Sequence, residues 1–269
     1  MLYQVVGGEM KQHPIQDGLW KHNYNRKIFA NSFDEFINWK KRREGEGGFL
    51  AKTLRSFGAQ KILDTAAGTG CDAIYLKKEG FDVTANEFDP AFYKRAKQNM
   101  KREKTHMQLV SSEWSNLTSV FEEGSFDAVL CLGNSLTYLP EKSGQIGAVK
   151  SFFHLLKNGM FLLIDERNYP FMLSHKEEIL GKKFCGSGNY VYCGTETENH
   201  PILIEENRIV FEYVHNNKWR SHLTVYPFKK GEMLEILRAA GFSYFCEYSD
   251  YKEGYNENAD FFQYVAVKK

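Results

Sequence analysis

The chain has 269 residues, with 35 basic and 34 acidic side chains, so its net charge is +1. A charge this close to zero creates no strong field to attract nucleic acid or anionic lipid, which argues against both as main partners. Because 42% of the residues are hydrophobic and 15% are aromatic, the chain can build a large core, and global disorder is excluded.

The cysteines and histidines do not indicate a metal centre or a disulfide framework. The cysteines are odd in number, scattered and without a Cys-x-x-Cys pair: Cys71, Cys131, Cys185, Cys193 and Cys246. The histidines show no spacing typical of metal ligands, so no metal is predicted. The first ten residues lack a signal-peptide pattern, and the longest apolar runs have strand length. We therefore expect a cytoplasmic protein without a membrane span.

The first 60 residues are rich in aromatic and charged side chains, and a helical pattern over residues 32–56 is interrupted by glycines at 45–48. This pattern predicts an N-terminal helical cap over residues 1–60, without a strand layer.

From residue 61, short apolar runs alternate with helix-period segments. Strands are predicted over residues 61–65, 81–85, 107–110, 126–132 and 160–165, and helices over 72–79, 90–102 and 143–157, with Gly159 marking the end of the last helix. A strand–helix alternation of this kind predicts an α/β core with a parallel sheet, here over residues 61–166.

Between residues 167 and 228 the hydrophobic period approaches two, which predicts an inserted antiparallel β lid. A helix over residues 231–240 and strands near 242–248 and 261–267 would then return the chain to the main sheet, giving a C-terminal segment over residues 229–269.

The first chemistry-bearing segment is the glycine-rich turn after the first core strand, which reads Leu-Asp-Thr-Ala-Ala-Gly-Thr-Gly from residue 63. Gly68 and Gly70 allow a sharp turn and close approach of a ligand at the carboxyl edge of the sheet. A dinucleotide could use such a turn, but Asp64 would repel a pyrophosphate and suits a cationic amino-acid tail. These residues favour S-adenosylmethionine.

Two acidic segments extend this site. Glu87 ends the second core strand, 17 residues after Gly70, where a carboxylate can accept hydrogen bonds from the two hydroxyls of a ribose. Glu113 and Trp114 follow a further short strand. Glu113 could accept a hydrogen bond from the amino group of an adenine, and Trp114 could form an apolar wall beside the adenine ring. Trp114 could equally belong to the core.

Three motifs together carry a resemblance to a known family. They are the turn after Asp64, the segment Cys-Leu-Gly-Asn-Ser-Leu-Thr-Tyr-Leu-Pro from Cys131, and Asp-Glu-Arg-Asn-Tyr from Asp165. On these motifs the chain resembles the glycine N-methyltransferase family, and particularly its glycine/sarcosine branch, which makes precursors of betaine. The resemblance implies a class I, Rossmann-like methyltransferase sheet flanked by helices, with an antiparallel lid and S-adenosylmethionine as methyl donor.

The resemblance also implies donor-binding residues. Arg42 would pair with the donor carboxylate, with Arg43 as a rival, and Tyr24 would cover the donor. The remaining implied contacts are backbone groups of Ala66 and Gly68, the side chains of Glu87, Glu113 and Trp114, and the surroundings formed by Leu132 and Tyr138.

For the acceptor, the resemblance implies glycine or sarcosine, whose neutral amine would attack the donor methyl in line. Arg167 would hold the acceptor carboxylate with its planar fork, and Asn134 would add a polar contact near the amine. Tyr169 and Tyr255 would wall the site or, equally, pack in the core or the lid. The segment around Tyr251 resembles family elements near the acceptor.

Three alternatives remain open at this point. The chain could methylate another small amine, act as a non-catalytic module that binds S-adenosylmethionine, or be a nucleotide-dependent oxidoreductase. The sequence does not predict the number of methyl groups transferred or the oligomeric state.

Overall fold

A computed structural model describes residues 2–6, 9–13, 26–181, 197–215 and 219–269. The strands are β1 (Leu2–Val6), β2 (Glu9–His13), β3 (Lys61–Asp64), β4 (Asp82–Asn86), β5 (Gln108–Val110), β6 (Phe126–Cys131), β7 (Leu156–Arg167), β8 (Thr197–Glu205), β9 (Arg208–His215), β10 (Trp219–Val225), β11 (Tyr244–Ser249), β12 (Lys252–Glu253) and β13 (Phe261–Val267).

The helices are α1 (Arg26–Phe36), α2 (Trp39–Glu46), α3 (Phe49–Ser56), α4 (Cys71–Lys78), α5 (Pro90–Arg102), α6 (Leu117–Val120), α7 (Lys142–Leu155), α8 (Tyr169–Ser174), α9 (Lys176–Leu180) and α10 (Glu232–Ala240). Short 3₁₀ helices span Trp114–Asn116 and Ser135–Tyr138.

The main sheet has eight strands in the order β12-β11-β13-β7-β6-β3-β4-β5. The strands from β7 to β5 run parallel, whereas β13 is antiparallel to β7 and to β11. The chain fills the sheet from β3 to β5 and then crosses to β6 on the other side of β3. Ligands of open α/β sheets bind at such a switch point, beyond the carboxyl ends of the strands.

Local sequence explains the regular elements of this core. The Asp89 side chain accepts hydrogen bonds from the backbone N–H groups of Ala91 and Phe92, and Pro90 occupies the first turn, so α5 begins where predicted. The prediction for Gly159 was wrong: this glycine has a positive φ but lies inside β7, which begins directly after α7.

Two hydrophobic clusters cover the two faces of the sheet. One includes Phe152 of α7 and Leu237 of α10 and extends to the small antiparallel sheet through residues such as Phe211. The other packs Leu50, Leu54 and Leu76 of α3 and α4 against the sheet. Burial on both faces explains why the parallel strands read as continuous apolar runs.

The predicted lid is present as a separate three-stranded antiparallel sheet, ordered β10-β9-β8. The prediction was incomplete at its start, where α8 and α9 follow β7. Asn168 caps α8 by accepting a hydrogen bond from the backbone N–H of Phe171, and Pro170 lies in the first turn. These two local signals outweigh the period-two pattern.

The N-terminal part is helical over α1 to α3, but the expectation that it contains no strands was wrong. β1 and β2 pair as an antiparallel hairpin. Tyr24 lies outside the described residues, and the divisions at residues 60, 166 and 228 stay predictions. Among the described helices, none has the length and apolar character needed to cross a bilayer.

Candidate active site at the carboxyl edge of the sheet

The glycine-rich turn between β3 and α4 leaves an open cradle. Gly68 has φ +56°, and a Cβ added there would meet no atom within 4 Å. Gly70 has φ +82°, and its Cβ would come within 3.4 Å of the Ala96 Cβ on α5. The turn is therefore packed closely against α5 at Gly70 and open at Gly68, as a ligand cradle requires.

Glu87 reaches across from β4 to this turn. One carboxylate oxygen accepts from the Gly68 N–H at 2.7 Å and the other accepts from the Asp89 N–H at 2.8 Å. Burial raises the pKa of Glu87 to about 7, although these two hydrogen bonds oppose the shift. A largely buried carboxylate beside an open cradle fits a ribose diol, which would donate to its remaining lone pairs.

Asp64, at the end of β3, is buried and accepts from the Ala66 N–H at 3.2 Å. Burial raises the pKa of Asp64 to about 7, and the nearby Arg42 lowers it in part. A cation bound here would favour the ionised form, so the environment of Asp64 fits the cationic amino-acid end predicted for the donor.

Arg42 and Arg43 both lie in an acidic cluster. Arg42 pairs with Glu46 at 2.8 Å and with Asp72 at 3.3 Å, and Arg43 pairs with the same two carboxylates. The Arg43 guanidinium lies 4.5 Å from the centre of the Tyr75 ring on α4. Burial raises the pKa of both Asp64 and Asp165 on the main sheet, and Arg42 opposes this shift in each, so Arg42 is the better candidate for the donor site.

The segment predicted to bind adenine is joined to the glycine-rich turn by hydrogen bonds of Asn86, which was not among the predicted site residues. The Asn86 side chain donates to the carbonyls of Thr65 and Ser112, both at 3.0 Å, and accepts from the Ser112 N–H. The Trp114 indole N–H also donates to the Thr65 carbonyl, at 2.8 Å, and its ring contacts the core. Glu113 is exposed beside it. The only sequence signal for Asn86 was its place at a strand end.

Three apolar side chains surround the same edge. Leu132 is buried after β6, and Tyr138, 37% exposed, ends the following 3₁₀ helix. Phe88 is 55% exposed directly after Glu87 and was not predicted. An exposed phenylalanine next to a buried carboxylate offers an apolar surface to a bound ring system.

The turn after β6 aims Asn134 at the end of β7. Asp165 accepts from the backbone N–H groups of Gly133 and Asn134, at 3.1 and 2.6 Å, and both residues have positive φ. The Asn134 side-chain oxygen accepts from the Arg167 N–H at 3.0 Å. The Asn134 side chain and the Arg167 backbone are therefore held next to each other.

The two predicted tyrosines have different positions. Tyr169 is fully buried, and its hydroxyl accepts a hydrogen bond from the Asn134 side chain, so it supports Asn134 from the core and does not form an open wall. Burial raises the pKa of Tyr169 to about 12. Tyr255 is exposed, stacks on Phe262 and lies beneath Lys230.

The Arg167 guanidinium is held by two aromatic rings. Its central carbon lies 4.7 Å from the centre of the Phe261 ring on β13 and 5.7 Å from that of Phe211 on the lid. Among the described ranges, no carboxylate forms an ion pair with Arg167. Neither phenylalanine was predicted. The rings pack against the guanidinium, and no carboxylate of the described residues neutralises its charge.

Comparison with known proteins agrees with this arrangement. Residues 62–159 match a family described as a methyltransferase domain. A glycine/sarcosine N-methyltransferase from Aphanothece halophytica is 33% identical over 260 residues, which cover 96% of this chain and 95% of that protein. A glycine/sarcosine/dimethylglycine N-methyltransferase from Actinopolyspora halophila is 33% identical over 242 residues, covering 89% of this chain and 41% of that protein.

The fold has solved counterparts as well. A crystal structure of an S-adenosylmethionine-dependent methyltransferase from Clostridium acetobutylicum superimposes with a TM-score of 0.68 at 15% identity, covering 90% of this chain and 98% of that one. The predicted fold class and the predicted family are both confirmed. The chain belongs to the glycine/sarcosine N-methyltransferase family and has the class I methyltransferase fold.

Proposed function

We propose that this protein transfers methyl groups from S-adenosylmethionine to the amino nitrogen of glycine and sarcosine in the cytoplasm. The observation that carries the proposal is the guanidinium of Arg167, which packs against Phe211 and Phe261 beside Asn134 and has no carboxylate partner in the described part of the chain. A cation without a carboxylate partner at a ligand-binding edge attracts a small anion, and a fork of this shape binds a carboxylate through two hydrogen bonds.

The donor half of the site would use the glycine-rich turn. Glu87 would accept from the ribose hydroxyls, Asp64 would face the cationic amino-acid end, and Arg42 would bind the donor carboxylate. When bound, S-adenosylmethionine supplies a methyl group on a positively charged sulfur. The chain's own contribution is to orient the two reactants and to exclude water.

The acceptor half would bind the amino acid by its carboxylate at Arg167, which leaves the amine free to face the donor. Asn134 is well placed for this because Tyr169 and the Arg167 backbone fix both ends of its amide. Tyr169 stays protonated at neutral pH, since its pKa is about 12, and so it acts by holding Asn134 and not as a base.

Positioning carries most of the rate in this mechanism. Holding two reactants in line contributes on the order of 7 to 11 kcal/mol to lowering a barrier. Only the neutral amine has a lone pair for attack, so the rate with glycine should rise with pH if no side chain takes up the proton.

An acceptor panel tests the proposal. The protein is incubated with labelled S-adenosylmethionine and glycine, sarcosine, dimethylglycine or ethylamine, and product masses are recorded. We expect methylated products from glycine and sarcosine and none from ethylamine, which lacks the carboxylate. Equal activity on ethylamine would contradict the role of Arg167, and no transfer to any amine would contradict the proposed function.

A further inference from the structure

The glycine-rich turn needs support from outside to keep one shape. Thr69 lies between Gly68 and Gly70, whose φ angles are +56° and +82°. Glycine has more backbone freedom to lose than any other residue, so a turn with two glycines is costly to hold in one conformation. A loop that already has its bound shape binds its ligand more tightly, because the cost of ordering it is not part of binding.

A side chain of α5 holds the centre of this turn. The Asn99 amide donates a hydrogen bond to the Thr69 carbonyl at 2.9 Å. Asn99 and Thr69 are both buried, and only 1% of each residue is exposed, so this bond is shielded from water. Ala96 lies one turn earlier on the same face of α5 and lies against Gly70. The helix therefore bonds to the turn at Thr69 and packs against it at Gly70.

The same Asn99 amide is also bound to α1. It donates to the Asp34 carboxylate at 2.9 Å, and the same carboxylate oxygen accepts from Arg95 Nε at 2.9 Å. The buried oxygen of the Asn99 amide has no hydrogen-bond partner in the described part of the chain. In the opposite orientation the amide would direct this oxygen at two acceptors, the Asp34 carboxylate and the Thr69 carbonyl. Asp34 therefore fixes the amide in the orientation that allows it to donate to Thr69.

Aromatic contacts hold α1 in place independently of this amide. The Phe33 ring lies 5.3 Å from the Phe92 ring of α5, and the Phe36 ring lies 4.9 Å from the Tyr213 ring of β9. Rings at these separations, packed edge to face, add to the stability of the contact. Asp34 thus acts on the Asn99 amide from a helix that is fixed to both α5 and the lid.

We propose that Asn99 is a positioning residue for the methyl donor: together with Asp34, it holds the Thr69 carbonyl and so keeps the glycine-rich turn in the conformation that binds the donor. This inference rests on the proposed function, because it assumes that the donor binds at this turn. It also gives α1, which contains none of the predicted site residues, a part in donor binding.

The first test compares Asn99→Ala with Asp127→Ala. Asp127 is a matched control because its carboxylate accepts from the backbone N–H groups of Gln60 and Lys61, at the start of β3. The four residues of β3 separate this point from the turn by about 13 Å. We expect Asn99→Ala to weaken donor binding about fivefold to tenfold, the size expected for one hydrogen bond, and Asp127→Ala to lower stability without changing donor affinity.

Three measurements separate positioning from a structural role. Calorimetry gives the donor affinity, initial rates give KM and kcat, and thermal unfolding gives the stability of each variant. For Asn99→Ala we expect a higher donor KM, with kcat at saturating donor within twofold of the unchanged protein and an unchanged KM for glycine. Lower stability with unchanged donor affinity would show a purely structural role and overturn the proposal.

An exchange of two side chains separates the two hydrogen bonds of Asn99. Asn99→Asp directs a carboxylate at both Asp34 and the Thr69 carbonyl, so we expect it to lower stability and donor affinity together. In the double variant Asp34→Asn with Asn99→Asp, the amide introduced at position 34 can donate to the carboxylate at position 99. This restores the link between α1 and α5 but leaves the Thr69 carbonyl without its donor.

We expect the double variant to regain most of the stability at pH 8 and to keep the weak donor binding of Asn99→Asp. Recovery of donor affinity in the double variant would show that Asn99 only joins the two helices, and it would overturn the proposal. Failure of the proposed function is separately visible, because the unchanged protein would then bind no donor or methylate neither glycine nor sarcosine.

Discussion

Replacement of Arg167 is the sharpest perturbation of the acceptor site. The guanidinium would donate two charge-assisted hydrogen bonds to the acceptor carboxylate, each worth about 1.5 to 3 kcal/mol. Because about 1.4 kcal/mol corresponds to a factor of ten, Arg167→Ala should lower kcat/KM for glycine by about 10² to 10⁴. Arg167→Lys keeps the charge but loses one bond and the flat face that packs between Phe211 and Phe261, so a loss of about 10- to 100-fold is expected.

The assay is initial-rate kinetics with glycine at saturating donor, together with calorimetry of donor binding. Arg220→Ala is a matched control, because Arg220 is an arginine of the lid that pairs with Glu212 at 2.6 Å and is exposed. It should leave kcat/KM for glycine nearly unchanged. If Arg167→Ala retained its activity, or lost donor affinity to the same extent as activity, the assignment of Arg167 to the acceptor carboxylate would be refuted.

The remaining predictions concern Glu87 with the glycine-rich turn, and the Phe261 ring that packs against Arg167. Because burial raises the pKa of Glu87 to about 7, donor affinity measured by calorimetry should rise from pH 6 to 8, and Glu87→Gln should bind the donor more weakly and lose the part of this dependence that does not come from Asp64. Because its pKa is raised in the fold, Glu87 stabilises the unliganded protein fully below about pH 4.5, and this contribution is lost as pH rises through 7. The free energy of unfolding of the Glu87→Gln variant should therefore lack this decline with rising pH. Gly68→Ala should weaken donor binding. Gly80 also has a positive φ and open space around it, so Gly80→Ala should lower stability without changing donor affinity. Equal donor affinity in the two variants would count against a ligand cradle at Gly68. Phe261→Leu should raise the KM for glycine by about 2- to 30-fold, from about 0.5 to 2 kcal/mol of cation–π energy, with Phe261→Tyr restoring it; a rise in the donor KM would instead point to a general distortion.

Much of the fold could be predicted because the signals are local. The bounds of α5 match the prediction, since Asp89 and Pro90 mark its start and an apolar stripe fixes its face. The β1–β2 hairpin was missed because its residues mix apolar and polar side chains and carry no strong alternation. Helices α8 and α9 were missed for another reason: the capping signals at Asn168 and Pro170 were overlooked beside the apolar alternation that follows.

The residues of the candidate site also divide into those that local sequence predicts and those that it does not. Glu87 and the glycine turn could be placed from spacing, because the carboxyl ends of adjacent parallel strands meet at one edge. Phe211 and Phe261 lie 44 and 94 positions after Arg167, and no local pattern indicates that they meet it. The positive φ of Tyr251 is likewise not predictable from the sequence, because a tyrosine disfavours this backbone conformation.

The two halves of the site differ in how they hold charge, and this difference supports their assignment to different ligands. On the donor side, Asp64 and Glu87 are buried carboxylates whose pKa values near 7 make a bound cation favourable. On the acceptor side, aromatic rings hold Arg167 in place, so its positive charge is available to an anion. Under the proposed function, the cationic part of the methyl donor would lie beside the two buried carboxylates, and the amino acid would bind by its carboxylate at Arg167. An amino acid whose carboxylate bound at Arg167 would turn its amine toward the donor, and under the proposed function this orientation is the main contribution of the protein to methyl transfer.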